Sequence, residues 1–240
     1  KNIIITGHTG FKGSWLTLWL KQLGANVTGI SLDPNTSPSN FTASNVATNI
    51  SDKRINLLDK DLIEKCFIEY QPDFVFHLAA QAIIKESFDD PVLTWKTNVI
   101  GTLHILESLR KLKNFCCAVI ITSDKCYQNT ESIMGYKETD PLGGSEPYSA
   151  SKASAELAIH SHIKSFFPLG QSNIRIASTR AGNVIGGGDW ASKRLIPDCI
   201  KAWSKGLSVD LRNPSSTRPW QHVLEPLSGY LLLASELVNQ

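Results

Sequence analysis

Short apolar runs alternate with longer amphipathic segments through the first 180 residues of the 240-residue chain. The runs are rich in β-branched and aromatic residues, and the segments between them repeat apolar residues with helical spacing. We expect strands at residues 2–6, 27–32, 54–57, 74–78, 118–122 and 174–178, and helices at 11–23, 60–70, 91–113, 147–167 and 195–203. This alternation predicts a doubly wound α/β fold, in which helices cover both faces of a parallel sheet.

Composition narrows the classes of function. A net charge of +2 without a basic run provides no electrostatic surface for nucleic acid. The five cysteines are scattered, which is typical of reduced thiols in a cytoplasmic protein. No apolar run reaches the length of a membrane span, and no secretion signal precedes Ile3. We therefore expect a cytoplasmic protein that binds neither nucleic acid nor a membrane.

A glycine-rich turn separates the first strand from the first helix. Its residues are Gly7, His8, Thr9, Gly10, Phe11, Lys12 and Gly13. Glycines permit a tight turn and let a pyrophosphate approach the backbone, where the start of the helix offers N–H donors. The turn predicts a dinucleotide site of the Rossmann type formed by Gly7, Thr9, Gly10, Phe11, Lys12 and Gly13. An ordinary turn between strand and helix is the alternative.

An acid near the end of the second strand indicates which dinucleotide binds. Asp33 lies 20 residues after Gly13, where a carboxylate accepts hydrogen bonds from the adenosine ribose. It would repel the 2′-phosphate of NADP, and no arginine follows it closely in the sequence. We therefore predict NAD as the cofactor. The alternative role for Asp33 is a loop cap before Pro34.

Tyr148 and Lys152 lie four residues apart in a helix that Pro147 opens. This spacing places both side chains on one helical face. A cation beside a phenol favours the phenolate, so the pair predicts a tyrosine that acts as a base near neutral pH. Because the pattern is common by chance, a solvated helix face is the alternative.

These motifs together resemble the extended short-chain dehydrogenase/reductase superfamily. The resemblance covers residues 3 to about 233 and also rests on Asn98 and on the segment 77–81, His-Leu-Ala-Ala-Gln. Four longer segments, at residues 7–16, 122–127, 180–191 and 218–227, are similar to the CDP-glucose 4,6-dehydratases of that superfamily.

The resemblance implies NAD-dependent dehydration of CDP-glucose to CDP-4-keto-6-deoxyglucose. It implies that Tyr148 takes the proton of the sugar 4-hydroxyl while C4 is oxidised, and that Ser123 hydrogen-bonds the same oxygen. Lys152 would hold the tyrosine and the nicotinamide ribose. Water then leaves across C5 and C6, and the hydride returns to C6.

The elimination of water needs a general acid and a base. The resemblance implies that Asp124 is the acid for the departing 6-hydroxyl. In the related dTDP-glucose dehydratases a glutamate base occupies the next position, where this chain has Lys125. A lysine accepts a proton only in its neutral form, so Lys125 is the candidate base on that condition. A strand-end turn with a surface ion pair is the alternative for both residues.

The resemblance implies further ligand contacts. The additional cofactor-binding candidates are Asn56, Leu57, Ala79, Ala80, Gln81 and Asn98, together with Tyr148 and Lys152. The substrate-binding candidates are Asn183, Arg194, Leu195 and Arg218. We expect no metal, since His160 and His162 lie two residues apart on a helix and face different ways.

The alternation of strand and helix stops after Arg180, and three consecutive glycines follow from Gly186. We predict a NAD-binding Rossmann domain that carries the catalytic residues at residues 1–180. Residues 181–240 would form part of a small nucleotide-sugar binding region. The chain starts without methionine and stops inside a helical pattern, so we expect it to be part of a longer protein.

The helices predicted at 91–113 and 147–167 carry apolar residues on two faces. One face packs on the sheet, and the other needs a partner. The resemblance implies a homodimer built on these helices. Burial by a further part of the same chain is the alternative.

Two other functions remain open. A nucleotide-sugar 4-epimerase on the same fold would use Ser123, Tyr148 and Lys152 but not the acid at Asp124. A non-catalytic NAD-sensing module would need only the cofactor site. The complete set of Ser123, Tyr148 and Lys152 argues against the sensing module.

Overall fold

The computed structural model describes residues 1–211 and 213–239. Its central sheet has six parallel strands in the order β3-β2-β1-β4-β5-β6. They are β1 (Asn2–Thr6), β2 (Asn26–Ser31), β3 (Ser51–Arg54), β4 (Phe74–His77), β5 (Cys116–Ile121) and β6 (Ile174–Thr179). The predicted doubly wound fold of the Rossmann type is therefore confirmed.

Nine α-helices follow or connect the strands in the described residues. They are α1 (Phe11–Gln22), α2 (Asn40–Ala43), α3 (Lys60–Tyr70), α4 (Ile84–Asp89), α5 (Pro91–Trp95), α6 (Gly101–Arg110), α7 (Pro147–Phe166), α8 (Leu195–Trp203) and α9 (Leu224–Val238). Single turns of 3₁₀-helix lie at Val46–Asn49 and Asp124–Cys126. A separate parallel pair consists of β7 (Val184–Ile185) and β8 (Gln221–His222).

Two apolar cores lie on opposite faces of the sheet. Helices α3, α6 and α7 cover one face, and α1 and α9 cover the other. Successive residues of β5 point alternately into the two cores, so Cys116 packs in the first and Cys117 in the second. No helix in the part of the chain that the structure describes is long and apolar enough to cross a membrane.

The predicted third strand was displaced by three residues. We expected residues 54–57, but β3 ends at Arg54, which pairs with Ser31 of β2. The chain then turns, because the Asp59 N–H donates to the Asn56 carbonyl at 2.9 Å. Leu57 enters the core from this turn. The edge strand consists of polar residues, so no apolar pattern marked it in the sequence. The apolar residues Ile55 and Leu57 just beyond it led us to place the strand too late.

The helix predicted at 91–113 is not uniform. A π-helical turn at Lys96–Ile100 separates α5 from α6. The helix also ends at Arg110 rather than at residue 113, because Lys111 and Leu112 close tighter turns onto Ser108 and Leu109. The helix predicted at 147–167 was correct to within one residue.

The division of the chain at residue 180 stays a prediction, with residues 212 and 240 outside the described part. The structure adds that α9 packs on the sheet. Its residues Leu227, Tyr230 and Ala234 are buried in the same core as Leu16 of α1. Helix α9 is therefore a layer of the α/β fold, while β7 and β8 form a separate pair outside the six-stranded sheet.

Gly13→Ala should destabilise the fold strongly. A Cβ at this position would lie 2.0 Å from the Gly7 carbonyl oxygen, so the turn or α1 must shift. We expect the free energy of unfolding to fall by about 3 kcal/mol, measured by urea denaturation. Gly229→Ala is the control, because no atom lies within 4 Å of its added Cβ in α9. It should be neutral or stabilising by up to about 1 kcal/mol. Equal effects of the two substitutions would contradict this account of the turn.

Candidate active site

The candidate site lies at the carboxyl ends of the strands, where β1 and β4 are neighbours. The strand order reverses direction between them, because β2 and β3 lie to one side and β5 and β6 to the other. The helices after β1 and β4 therefore pass to opposite faces and leave a crevice. The candidate residues at 7–13, 79–81 and 123–125 all follow strands that end at this edge.

The glycine turn has the shape that a pyrophosphate requires. Gly7 has φ of +78°, and a Cβ there would lie 2.7 Å from the Ala79 backbone nitrogen. The N-cap residue of α1 is Gly10, which has no side chain to cap the helix, and the first turn contains no acid. Its first N–H groups are therefore free of competing side-chain acceptors. These features fit the phosphates of a dinucleotide.

The rest of the turn is fixed by its neighbours. The Thr9 hydroxyl bonds the Ser31 hydroxyl at 2.8 Å and the Leu32 carbonyl at 3.0 Å, so it joins the turn to the end of β2. The Phe11 ring packs beneath Gly186, within 3.3 Å of where a Cβ would lie.

An arginine does lie beside Asp33, contrary to our expectation. Arg54 ends the neighbouring strand, and its Nε is 3.4 Å from Asp33 Oδ1. Its Nη2 donates to Asp52 at 2.8 Å and its Nη1 to the Leu32 carbonyl at 3.0 Å. Arg54 is far from Asp33 in the sequence, so the sequence did not predict this contact. The pairing of Ser31 with Arg54 brings the two side chains together. Each of the three guanidinium nitrogens of Arg54 has one partner, and the Asp33 side chain remains 87% exposed.

The Asn56–Leu57 segment lies at the β3 side of the crevice. Asn56 is exposed, and its Oδ1 accepts a hydrogen bond from the Leu58 N–H at 3.0 Å. One acceptor position of this carbonyl is thus used within the turn. Leu57 is buried, and its carbonyl bonds His104 at 2.7 Å.

The residues after β4 are held by a buried amide. Asn98, in the π-helical turn, accepts from the Gln81 N–H at 2.9 Å. Its Nδ2 donates to the Gln81 carbonyl at 3.1 Å and to Ser151 of α7 at 2.9 Å. Asn98 therefore links the 79–81 segment to α7. Ala79 and Ala80 are half-buried at the crevice, and the Gln81 Oε1 is buried without a hydrogen-bond partner.

His77 is a structural residue in this fold. Its ring nitrogens bond the Thr6 hydroxyl at 2.6 Å and the Thr102 hydroxyl at 3.1 Å. Burial lowers the pKa of His77 to about 3, and Lys152 adds to this effect. The ring is therefore neutral and joins β1, β4 and α6.

Ser123 caps the 3₁₀ turn after β5, and Asp124 and Lys125 are its first two residues. The Ser123 hydroxyl donates to Asp124 Oδ1 at 3.0 Å and accepts from the Lys125 N–H at 3.2 Å. The Asp124 N–H donates to the Ala181 carbonyl at 3.3 Å. Ser123 is buried, whereas Asp124 and Lys125 are half-buried.

Tyr148 and Lys152 are both buried on α7. Burial raises the pKa of Tyr148, and Asp124 raises it further, while Ser123 and Arg194 lower it. The role of Tyr148 as a phenolate base stays a prediction. Burial, and then the charge of Lys12, lower the pKa of Lys152 to about 8.

Lys12 brings a second buried ammonium to this edge. Its Nζ donates to the Tyr230 Oη of α9 at 3.2 Å. Burial and Arg194 lower the pKa of Lys12 to about 8, and Asp124 opposes that shift. Lys12 was predicted from the glycine turn, but its proximity to Asp124 and Lys152 follows only from the fold.

The substrate-binding candidates are spread over the segments beyond β6. Pairing of β7 with β8 places Asn183 beside Gln221, whose N–H donates to the Asn183 carbonyl at 3.0 Å. Arg194 forms an ion pair with Asp189 at 3.1 Å. Leu195 and Arg218 are exposed. Of this set, Arg194 is the residue whose charge reaches Tyr148 and Lys12.

Sequence reasoning missed three charged residues that organise the site. Glu146 caps α7 by accepting from the Tyr148 and Ser149 N–H groups at 2.8 and 2.9 Å. Glu156 and Arg180 form a buried ion pair at 2.9 Å. Glutamate is not a preferred cap residue, and the ion pair joins positions that only the fold brings together. Within the described residues, no group of three or more His, Cys, Asp or Glu could hold a metal ion.

Comparisons with known proteins agree with this geometry. A family model described as GDP-mannose 4,6 dehydratase matches residues 4–237. The CDP-glucose 4,6-dehydratase of Salmonella typhimurium is 47% identical over all of this chain and 68% of its own length. The dTDP-D-glucose 4,6-dehydratase of Dictyostelium discoideum is 32% identical, over 83% of this chain and 47% of that enzyme.

A solved structure extends the comparison to the fold. The UDP-glucose 4-epimerase of Thermus thermophilus, in complex with NAD, superimposes with a TM-score of 0.80. It is 26% identical and covers 98% of this chain and 74% of its own. The family match spans nearly the whole chain. The strand order and the glycine turn also agree with the Rossmann-type fold that the resemblance implied. The chain therefore belongs to the GDP-mannose 4,6 dehydratase family of the extended short-chain dehydrogenase/reductase superfamily.

Proposed function

We propose that the chain catalyses the NAD-dependent 4,6-dehydration of a nucleotide-activated hexose, with CDP-glucose as substrate. The observation that carries the proposal is the meeting of two groups of residues at the crevice. The Ser123–Lys125 turn supplies a hydroxyl, an acid and an amine, and α7 supplies Tyr148 and Lys152. An oxidation site and an elimination site thus share one location. The 47% identity to the Salmonella enzyme supports CDP-glucose.

NAD is the cofactor that fits the crevice. The free N–H groups of α1 and the close contact of Gly7 with Ala79 suit a pyrophosphate. Asp33 is exposed at the ribose position, where its carboxylate would repel a 2′-phosphate. When bound, NAD⁺ would accept a hydride from C4 of the sugar and later return it to C6.

The chain's own residues handle the protons of the oxidation. Tyr148 takes the proton of the 4-hydroxyl, and Ser123 hydrogen-bonds the same oxygen. Because burial raises the pKa of Tyr148, its ionisation depends on the positive charges nearby. Arg194 is a positive charge that lowers this pKa, and Lys152 lies on the same helical face as Tyr148.

Elimination of water uses the turn after β5. Asp124 donates a proton to the departing 6-hydroxyl. Its Oδ1 accepts a hydrogen bond from the Ser123 hydroxyl at 3.0 Å, which orients the carboxyl group. Lys125 is the candidate for removing the C5 proton. On the far side, Arg194 and Arg218 provide guanidinium groups for the diphosphate, and Asn183 and Leu195 line the approach.

The enzyme forms a homodimer in this proposal. The outer face of α5 and the π-helical turn form an apolar groove of about 280 Å³, lined by Pro91, Val92, Trp95, Lys96, Val99 and Ile100. Val92 is 61% exposed, and Leu157 of α7 is 60% exposed. A second copy of these helices would cover both. The five cysteines are free thiols, which supports a cytoplasmic location.

Asp124→Asn should abolish dehydration while leaving the cofactor site intact. Loss of the general acid should lower kcat by about a hundredfold or more. The measurement is mass spectrometry of CDP-glucose incubated with catalytic NAD⁺ in deuterated water. The unsubstituted enzyme should give a product lighter by one water, with a solvent deuteron at C5 and no net NADH. Asp73→Asn, at the opposite edge of the sheet, is the control and should retain full activity.

The same experiment tests the epimerase alternative, because the UDP-glucose 4-epimerase of Thermus thermophilus is similar to this chain in fold. An epimerase would change configuration at C4 without a change in mass. It would also survive Asp124→Asn, because it needs no acid for a 6-hydroxyl. Either result would overturn the dehydratase proposal. Binding of NAD without turnover of any nucleotide sugar would favour the sensing module.

The activity should fall as the pH rises through about 8. The pKa of Lys152 is lowered to about 8 in the folded chain, so its ammonium is lost above that pH. Lys12→Met removes the like charge that lowers this pKa, and the alkaline limb should move to higher pH. The measurement is kcat against pH with saturating substrate and NAD. Lys65→Met, at an exposed position on α3, is the control and should leave the alkaline limb of the pH profile unchanged. A limb that stays fixed or moves down in Lys12→Met would contradict the assignment.

Val92→Glu should weaken the dimer. A charge in the apolar groove would be buried by the second copy, so association should weaken by about tenfold or more. Light scattering coupled to gel filtration should then detect monomers. Ile68→Glu, at a 50%-exposed position on α3, is the matched control and should not alter the mass. If Val92→Glu leaves the native mass unchanged, this groove is not the dimer interface.

A further inference from the structure

One buried carboxylate joins the elements that carry the candidate catalytic residues. Glu156 of α7 is 4% exposed. It accepts hydrogen bonds from the Thr122 hydroxyl, from the Ser178 hydroxyl at 2.9 Å and from Arg180 Nη2 at 2.9 Å. Thr122 follows β5, and Ser178 lies near the end of β6. The carboxylate therefore attaches both strand ends to α7.

These attachments lie directly beside the reacting groups. Thr122 immediately precedes Ser123, and its N–H also donates to the Thr179 carbonyl at 2.9 Å. On α7, Glu156 follows Lys152 by four residues and Tyr148 by eight, so all three share one helical face. The position of Ser123 relative to Tyr148 thus depends on the contact between Thr122 and Glu156.

Arg180 extends the same connection to the other end of the turn. Its guanidinium lies 4.8 Å from the centre of the Tyr127 ring, and Tyr127 directly follows the 3₁₀ turn. Its Nη1 donates to the Glu138 carbonyl at 3.2 Å. With Thr122 held by Glu156 and Tyr127 held by Arg180, the Ser123–Cys126 turn is fixed at both ends.

The charge of Glu156 has a second target. The groups that shift the pKa of Lys152 are Lys12 from α1, Glu156 from its own helix and Cys126 from the turn, and His77 of β4 is a further titratable neighbour. Burial raises the pKa of Cys126 to about 12, and His77 is neutral. Of these groups, Glu156 is therefore the one that carries negative charge at neutral pH. It opposes Lys12 and favours the ammonium form of Lys152.

Stability alone does not explain a charge at this position. A buried ion pair is often no more stabilising than well-packed apolar residues of similar volume, because both charges lose their hydration. The pair is instead suited to a task that needs fixed geometry and fixed charge together.

Building on the proposed function, we propose that Glu156, paired with Arg180, is a positioning residue for the reaction. It fixes the Ser123–Lys125 turn against Tyr148 and supplies the buried negative charge that faces Lys152. It touches neither substrate nor cofactor and acts through these residues.

Glu156→Gln tests the proposal with little change in shape. The variant keeps an oxygen acceptor but loses the charge. We expect kcat to fall by about tenfold or more, with little change in KM, because the reacting groups lose their alignment. The pKa of Lys152 should fall by at least about half a unit, and the alkaline limb of the kcat profile should move down with it. Glu69→Gln, an exposed residue on α3, is the matched control.

The pKa of Lys152 can be measured without turnover. Lysine labelled at Cε gives NMR signals that titrate, and Lys152→Met identifies the relevant signal. Substrate and cofactor are absent from this titration. An unchanged pKa in Glu156→Gln would overturn the electrostatic role. Failure of the unsubstituted enzyme to dehydrate CDP-glucose would instead overturn the proposed function, so the two failures are distinguishable.

A double variant separates positioning from stability. Glu156→Gln removes the negative charge that compensates the Arg180 guanidinium, which lowers stability by itself. Glu156→Gln combined with Arg180→Gln removes both charges and should recover much of the thermal stability. It should not recover kcat or the pKa of Lys152, because Arg180 is not among the charges that shift that pKa. Recovery of kcat in step with stability would show a merely structural role and overturn the proposal.

Discussion

The close contact between the glycine turn and the end of β4 determines the geometry of the whole carboxyl edge. At Gly7 the backbone passes so near to Ala79 that there is no room for a Cβ. The Thr6 hydroxyl strengthens this junction by bonding His77 and the Ala79 N–H. Because β1 and β4 meet here, the helices after them diverge and the crevice forms between them. The positions of the turn after β5 and of α7 depend on this junction through the sheet register.

The sequence predicted the parts of the fold that depend on local composition. Buried strands such as β5 are continuous apolar runs, and α7 begins at Pro147 with a clear pattern. The edge strand β3 was misplaced because its residues are polar on an exposed edge, while Leu57 packs from a turn. The π-helical turn was missed because no residue type marks an added residue within a helix.

The same distinction applies to the site. Local motifs identified the glycine turn and the pair of Tyr148 and Lys152. Local motifs could not predict contacts between residues that are distant in the sequence. Strand pairing brings Arg54 to Asp33, and the contact of β6 with α7 brings Arg180 to Glu156. The raised pKa of Tyr148 has the same origin, since burial in the fold is its largest cause.

The π-helical turn has a consequence for how the two surfaces of one helix are related. Each residue added to a helix rotates the remainder of that helix by about 100°. The added residue near Asn98 therefore sets the angle between the outward apolar residues of α5 and the inward face of α6 that holds Thr102 against His77. A regular helix could direct only one of these faces correctly. The single added residue thereby sets the orientation of the apolar groove on α5 relative to the crevice.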